Sequence, residues 1–235
     1  MPARVLIVED DRELSRILQL DLRRSGYEVI AANNGLEGLR VFHTSKPDLV
    51  VLDLALPLMD GRMVCQRIRE LSDVIILMMT AQQVTEEDIA AGLDMGADEF
   101  LLKPIRNVEF QARVRALLRR SKPVEEDDSA RPTFYEDDYL KVDIGGRRVH
   151  IRGQEVRLTP TEFKLLSMFV QHPGEVLTFQ QLLERVWGFE YTREHHYPRI
   201  YVSHLRHKIE PDAKNPTYVQ NEYGIGYRFV KQTTD

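Results

Sequence analysis

Arg4-Val5-Leu6-Ile7-Val8-Glu9-Asp10-Asp11 is an apolar run that stops abruptly at three acids. The run Arg4–Val8 shows no alternation of apolar and polar residues. Both of its faces must therefore be buried, as in a strand inside a parallel sheet. Three later runs repeat the pattern. Asp48-Leu49-Val50-Val51-Leu52 stops at Asp53, Val74-Ile75-Ile76-Leu77-Met78-Met79 at Thr80, and Phe100-Leu101-Leu102 at Lys103. In an open parallel sheet, ligands bind beyond the carboxyl ends of the strands. Asp10, Asp53, Thr80 and Lys103 are thus expected in one crevice, and their chemistry suits a divalent cation and a phosphoryl group.

Amphipathic segments separate these runs: Arg12–Arg24, Leu36–Ser45, Arg62–Leu71, Glu86–Met95 and Val108–Arg120. Five strands joined by such helices imply right-handed crossovers and helices on both sheet faces. The expected fold of residues 1–121 is α/β, a (βα)5 doubly wound parallel sheet. Residues 122–133 are charged, contain Pro123 and Pro132 and lack apolar periodicity, so they read as a flexible linker.

Residues 134–235 have a different grammar. Tyr139–Ile144, Arg148–Ile151 and Glu155–Leu158 are strand-like, with turns at Gly145-Gly146 and Arg152-Gly153. Thr159-Pro160-Thr161-Glu162 has the hydroxyls, proline and acid of a helix start, and His172-Pro173-Gly174 stops that helix. Thr178 starts a second helix that runs to Trp187 and ends at Gly188, and a third spans Tyr197–Glu210. Tyr218-Val219-Gln220 and Tyr227-Arg228-Phe229-Val230 form a hairpin around Gly224-Ile225-Gly226. Three helices and a hairpin fit an α+β winged helix-turn-helix, whose third helix enters the DNA major groove. On that helix Val202, Leu205 and Ile209 make the buried stripe, while Arg199, Ser203, His204, Arg206, His207 and Lys208 occupy the other faces.

Charge divides along the same line. Residues 1–137 carry 18 Lys/Arg against 25 Asp/Glu, and residues 138–235 carry 14 against 12. An acidic front half suits a cation site, and a mildly basic rear half permits nucleic-acid binding. The chain shows neither a membrane-length apolar stretch nor a signal-peptide pattern, so a cytoplasmic protein with no membrane partner is expected. The single cysteine, Cys65, excludes an intrachain disulfide and reads as an inert, partly buried thiol. His195-His196 lacks the further ligands a metal site needs, so these rings are expected to pack or to meet phosphate.

At the front site, Asp10 with Glu9 can hold Mg²⁺, which takes one or two carboxylates with waters and phosphate oxygens. Asp53 ends a strand and is followed by a loop, so it is no helix cap. A carboxylate there can attack phosphorus and form an acyl phosphate. Lys103 would pair with the phosphoryl oxygens and Thr80 would donate to them.

Val8-Glu9-Asp10-Asp11, Asp53 with Leu56-Pro57 and Met59-Asp60-Gly61, Thr80-Ala81, and Gly96-Ala97-Asp98-Glu99-Phe100-Leu101-Leu102-Lys103-Pro104 resemble the receiver domain of two-component response regulators over residues 3–120. The resemblance implies that Asp53 accepts phosphate from a sensor histidine kinase. It places one Mg²⁺ among Glu9, Asp10, Asp53 and the Ala55 carbonyl, and makes Thr80 and Phe100 a switch. It also implies a homodimer formed on phosphorylation, paired through Asp98, Glu99, Glu109, Arg113 and Arg120. Ile89 stands where Lys or Arg is usual, which leaves Glu109 without its customary partner.

Leu158-Thr159-Pro160-Thr161-Glu162-Phe163-Lys164-Leu165-Leu166, Val186-Trp187-Gly188 and Gly224-Ile225-Gly226-Tyr227-Arg228-Phe229 resemble the DNA-binding domain of the OmpR/PhoB class over about residues 134–230. This resemblance implies binding to direct repeats in promoter DNA, with RNA polymerase as a further partner. Tyr197, Arg199, Ile200, Ser203, His204, Arg206, Lys208 and, in the wing, Tyr223 are the implied DNA contacts. Within the class, His196–Arg206 is similar to the recognition helix of the Kdp potassium-transport regulators. The wider class often has an acid at position 199 and Arg at 223, and Pro198 departs even from the Kdp pattern. A non-enzymatic regulator is therefore expected. The competing reading, an Asp-nucleophile phosphatase of the dehalogenase-like kind, requires an acid two residues after the nucleophile, where this chain has Ala55. A constitutive DNA-binding protein would not need the intact acid, hydroxyl and amine set.

Overall fold

The computed structural model describes residues 2–80, 95–120, 132–192 and 194–232. The chain forms two compact units, Met1–Lys122 and Pro123–Asp235. Residues 86–94 of the helix expected over 86–95, with Ile89, and the linker up to residue 131 lie outside the described residues.

In the first unit, β1 (Arg4–Val8), β2 (Glu28–Ala32), β3 (Leu49–Asp53), β4 (Ile75–Thr80) and β5 (Glu99–Leu102) form one sheet in the order β2-β1-β3-β4-β5. Every pair is parallel. β2 is the strand that the apolar runs did not locate. It is an edge strand whose burial is mixed, so it lacks the continuous apolar run of the inner strands. Successive side chains alternate between faces. Val5, Ile7, Leu49, Val51, Leu77, Met79 and Leu101 pack on one side. They meet Leu18 and Leu22 of α1 (Arg12–Arg24) and Phe110, Val114 and Leu117 of α4 (Asn107–Arg120). Asp11 caps α1 by accepting from the Glu13 and Leu14 amides at 2.9 and 3.1 Å. α2 (Gly35–Ser45) and α3 (Gly61–Arg69) complete the layer arrangement, with Val64, Cys65 and Ile68 of α3 fully buried.

The second unit opens with an antiparallel sheet of β6 (Phe134–Glu136), β7 (Leu140–Asp143), β8 (Arg148–Ile151) and β9 (Gln154–Glu155). The strand expected over Glu155–Leu158 is thus only the two-residue β9, because the chain leaves the ladder to start α5 (Pro160–Gln171). That helix starts with a reciprocal cap between Thr159 and Glu162. β10 (Val176–Thr178) leads into α6 (Phe179–Leu182), which Thr178 caps, and the helix widens to a π turn over Leu183–Trp187. α7 (Tyr197–Ile209) precedes the hairpin of β11 (Val219–Glu222) and β12 (Gly226–Phe229). β10 pairs with β12, giving the order β10-β12-β11. β6 and β10 escaped the sequence reading because three residues carry too few alternations to register. Among the described residues, no helix is long and apolar enough to cross a membrane.

Candidate functional site

The parallel register brings the strand ends together. Asp53 pairs with Met79, and Thr80 with Leu102, so Asp53, Thr80 and Lys103 end or follow three adjacent strands. β1 lies beside β3 and delivers Glu9 and Asp10 to the same edge. Glu9, Asp53 and Thr80 are buried, whereas Asp10 is exposed. The Lys103 ammonium donates to Glu9 Oε2 and to Asp53 Oδ2, each at 2.9 Å. Carboxylate oxygens of Glu9, Asp10 and Asp53 lie within 4.8 Å of one another. Burial lifts Glu9 above the usual carboxylate range, against the pull of Lys103. Lys103 loses affinity for its proton through burial, but its bonds to Glu9 and Asp53 more than offset that and hold it above an ordinary lysine.

Three clustered carboxylates, two of them bonded to one ammonium, make an oxygen-rich, half-sheltered donor set, which fits a hard divalent cation. Among the described residues it is the single such group of His, Cys, Asp and Glu side chains. His195 and His196 do not form one; the His196 ring packs on Tyr197. Ala55 is exposed on the loop after β3. Phe100 is buried at 7% exposure, and its chain neighbour Leu101 belongs to the core under α1 and α4, so Phe100 faces the opposite side of the sheet. Cys65 is fully buried, and its thiol is pushed up to about 12 by burial.

The residues expected at a pairing face divide differently. Asp98 is completely buried and bonds to Arg69 and to the Ile76 amide at 3.0 Å, so it is removed from any exposed face. Glu99 and Arg113 form a buried ion pair at 3.2 Å. Glu109, expected to lack its customary partner at position 89, accepts from Arg106, just before α4, at 3.2 Å and from Arg113 of that helix at 3.3 Å. Arg120 closes α4, and its side chain lies outside the described residues.

In the second unit, α7 buries Val202, Leu205 and Ile209 as expected from their spacing. It also buries Tyr197 and His204, which correct the sequence reading. Tyr197 lies in an aromatic cluster with Trp187, Tyr191 and Tyr201 at ring separations of 5.7–6.2 Å. Period alone did not reveal this, because the buried stripe is wider than the three aliphatic residues. Arg199 and Ser203 are exposed, and Ile200 is partly so. Lys208 reaches Glu162 Oε2 at 2.6 Å and is engaged with the start of α5. Arg206 bonds to Val219 and Asn221, within the chain. Tyr223 at the hairpin tip is 92% exposed. Phe179, Asn221 and Tyr227 join this face, and nothing in their spacing singled them out.

Residues 5–115 match the family described as "Response regulator receiver domain", and residues 153–229 match "Transcriptional regulatory protein, C terminal". The chain is 42% identical over 226 residues to the KDP operon transcriptional regulatory protein KdpE of Escherichia coli (strain K12), covering 96% of this chain and 98% of that one. It is 40% identical over 228 residues to the response regulator MprA of Mycobacterium sp. (strain KMS), covering 97% of each. Among solved structures it is similar to the response regulator DrrB, a Thermotoga maritima OmpR/PhoB homologue, at 26% identity and a TM-score of 0.51, covering 98% of this chain and 100% of that chain.

Proposed function

This chain belongs to the OmpR/PhoB class of two-component response regulators, and we propose that Asp53 is the residue through which it is switched. The observation that carries the proposal is the Lys103 ammonium, held 2.9 Å from the carboxylates of both Glu9 and Asp53 at one sheet edge. A carboxylate oxygen of Asp53 attacks the phosphorus of a phosphohistidine on the kinase. The P–N bond breaks, the histidine leaves with the electron pair, and an acyl phosphate forms on Asp53. Lys103 then pairs with phosphoryl oxygens, and Thr80 donates its hydroxyl hydrogen to one of them. Glu9, Asp10, Asp53 and the Ala55 carbonyl would hold Mg²⁺, which supplies neutralisation of the phosphoryl charge when bound.

The modification favours a homodimer, two recognition helices then engage direct repeats in promoter DNA, and RNA polymerase responds in the cytoplasm. With Asp98 buried, pairing rests on surface other than that carboxylate, such as Val108, which is 82% exposed at the start of α4. Arg199, Ser203, Ile200 and Tyr223 face the DNA. The rest of the chain supports regulation rather than turnover, since no acid stands two residues after Asp53. The similarities to KdpE and MprA are of one size, at 42% and 40%. Control of potassium-transport genes is therefore supported by the recognition helix, His196–Arg206, more than by overall likeness.

The test is intact-mass measurement after incubation with Mg²⁺ and acetyl phosphate, followed by sequencing of genomic fragments retained by the protein. One phosphoryl adduct, lost in Asp53→Ala and accompanied by stronger retention, is expected. An equal adduct on Asp53→Ala overturns the assignment. Fragments from outside potassium-transport promoters would remove the potassium reading alone.

A further inference from the structure

Arg206 was expected to touch DNA, yet its guanidinium is occupied by the hairpin. Its Nε donates to the Val219 carbonyl at 2.9 Å, and its Nη2 reaches that same carbonyl and Asn221 Oδ1, the latter at 3.1 Å. The central carbon of the guanidinium lies over the Tyr227 ring, 5.4 Å from its centre. Asn221 and Tyr227 are opposite one another in the β11–β12 ladder. One side chain of α7 therefore grips both members of a cross-strand pair, by hydrogen bonds on β11 and by its charge over the Tyr227 ring on β12. β11 is an edge strand, so a partner from outside the sheet serves its backbone without disturbing the ladder.

The grip continues on the other side. Tyr227 meets Phe179 edge to face at 5.6 Å, and Arg199 lies 5.4 Å over the Phe179 ring. Between α7 and the hairpin tip is a groove of about 340 Å³ lined by Arg199, Arg206, Asn221, Tyr223 and Tyr227. The hairpin itself carries one cation, Arg228, which is paired with Glu222 at 2.7 Å. The wing thus has little charge with which to find its own place on a phosphate backbone, and must be placed by the protein.

We propose that Arg206 is a positioning residue that sets the distance between the recognition helix and the wing, through Val219, Asn221 and Tyr227, and makes no phosphate contact of its own. This rests on the DNA-binding reading of the second unit. Lysine cannot replace arginine here, because two nitrogens of the planar fork bond to β11 while its central carbon lies over the Tyr227 ring. A phosphate contact, by contrast, tolerates lysine.

The experiment uses the full chain and a fluorescein-labelled duplex selected by the wild-type protein from a random pool. Affinity is measured across several salt concentrations for wild type, Arg206→Ala, Arg206→Lys, Asn221→Ala, Tyr223→Ala and the Arg206→Ala/Tyr223→Ala double variant. Emission of Trp187, the lone tryptophan, reports that each variant is folded. Both Arg206 variants should lose about tenfold in affinity, with the slope of log K against log salt unchanged. Asn221→Ala, which removes no cation, should weaken binding in the same direction. Arg206→Ala should cost far less once Tyr223 is already Ala, because the two act through one wing. A slope smaller by about one in Arg206→Ala, restored by Arg206→Lys, would show a phosphate contact and overturn the proposal. Additive effects of Arg206→Ala and Tyr223→Ala would also overturn it. Failure of the wild type to select any duplex would instead sink the DNA-binding reading, and the proposal with it.

Discussion

The carbonyl oxygen of Asp53 lies 2.1 Å from the point where a Cβ on residue 61 would stand. Gly61 begins α3, and its amide donates to the Leu54 carbonyl at 3.0 Å, so the loop after Asp53 folds back onto its own strand end. Gly61→Ala should force the backbone at Asp53 to move, costing about 1–3 kcal/mol. Chemical denaturation should show that loss, and acetyl phosphate labelling should slow, because the acceptor carboxylate is carried on the displaced backbone. Unchanged labelling together with unchanged stability would refute the close approach.

Leu58 sits in the same loop at φ +67° with its side chain 79% exposed. A left-handed conformation costs an L-residue roughly 1–2 kcal/mol, and an exposed leucine recovers little of that by burial. Leu58→Gly should therefore stabilise the protein by about 0.5–1 kcal/mol, allowing for the extra freedom of glycine in the unfolded chain. The check is the midpoint of thermal unfolding, which should rise.

Glu210 follows α7, and its buried carboxylate accepts from the amides of Thr217, Tyr218 and Val219 at 2.7–3.1 Å. It ties the end of the recognition helix to the start of β11. Glu210→Ala leaves several buried N–H groups without an acceptor, each worth about 1–3 kcal/mol. The expected loss is about 3 kcal/mol or more by denaturant titration, with Glu210→Gln retaining part of it. Equal stabilities of wild type and Glu210→Ala would remove this role.

Asp137 accepts from the Tyr139 and Leu140 amides at 2.8 and 2.7 Å and from the hydroxyls of Tyr135 and Tyr218 at 2.5 and 3.1 Å. Burial works against its charge, but these four donors together hold the carboxyl below its usual value. A depressed folded value contributes stability above the unfolded value, near 3.9, and loses it as pH falls through the folded one. The difference in unfolding midpoint between wild type and Asp137→Asn should be constant from neutral pH down to about 4, then shrink below it. A difference that grows on acidification would contradict the sign of the shift.

The inner strands and their site were readable because of how parallel sheets are built. Strands buried on both faces must be continuously apolar, so Val8, Leu52 and Leu102 mark their ends, and Glu9, Asp10, Asp53 and Lys103 stand out against them. The caps at Thr159 and Thr178 were equally plain, since they depend on atoms within four residues. β2, β6 and β10 were not, because edge and three-residue strands owe their form to partners distant in the chain.

Side-chain roles on the surface were read less well, and for one reason. Asp98, Tyr197, His204, Arg206 and Lys208 are all polar or amphipathic residues that composition assigns to solvent or to a partner. Whether such a group meets water, DNA or the protein depends on which group lies opposite, as Arg69 does for Asp98 and Glu162 for Lys208. Local periodicity determines the strands, the helices and which strand ends carry chemistry. Only the tertiary structure decides which charges remain available, because the partner that neutralises a charge is set by contacts between segments far apart in the chain.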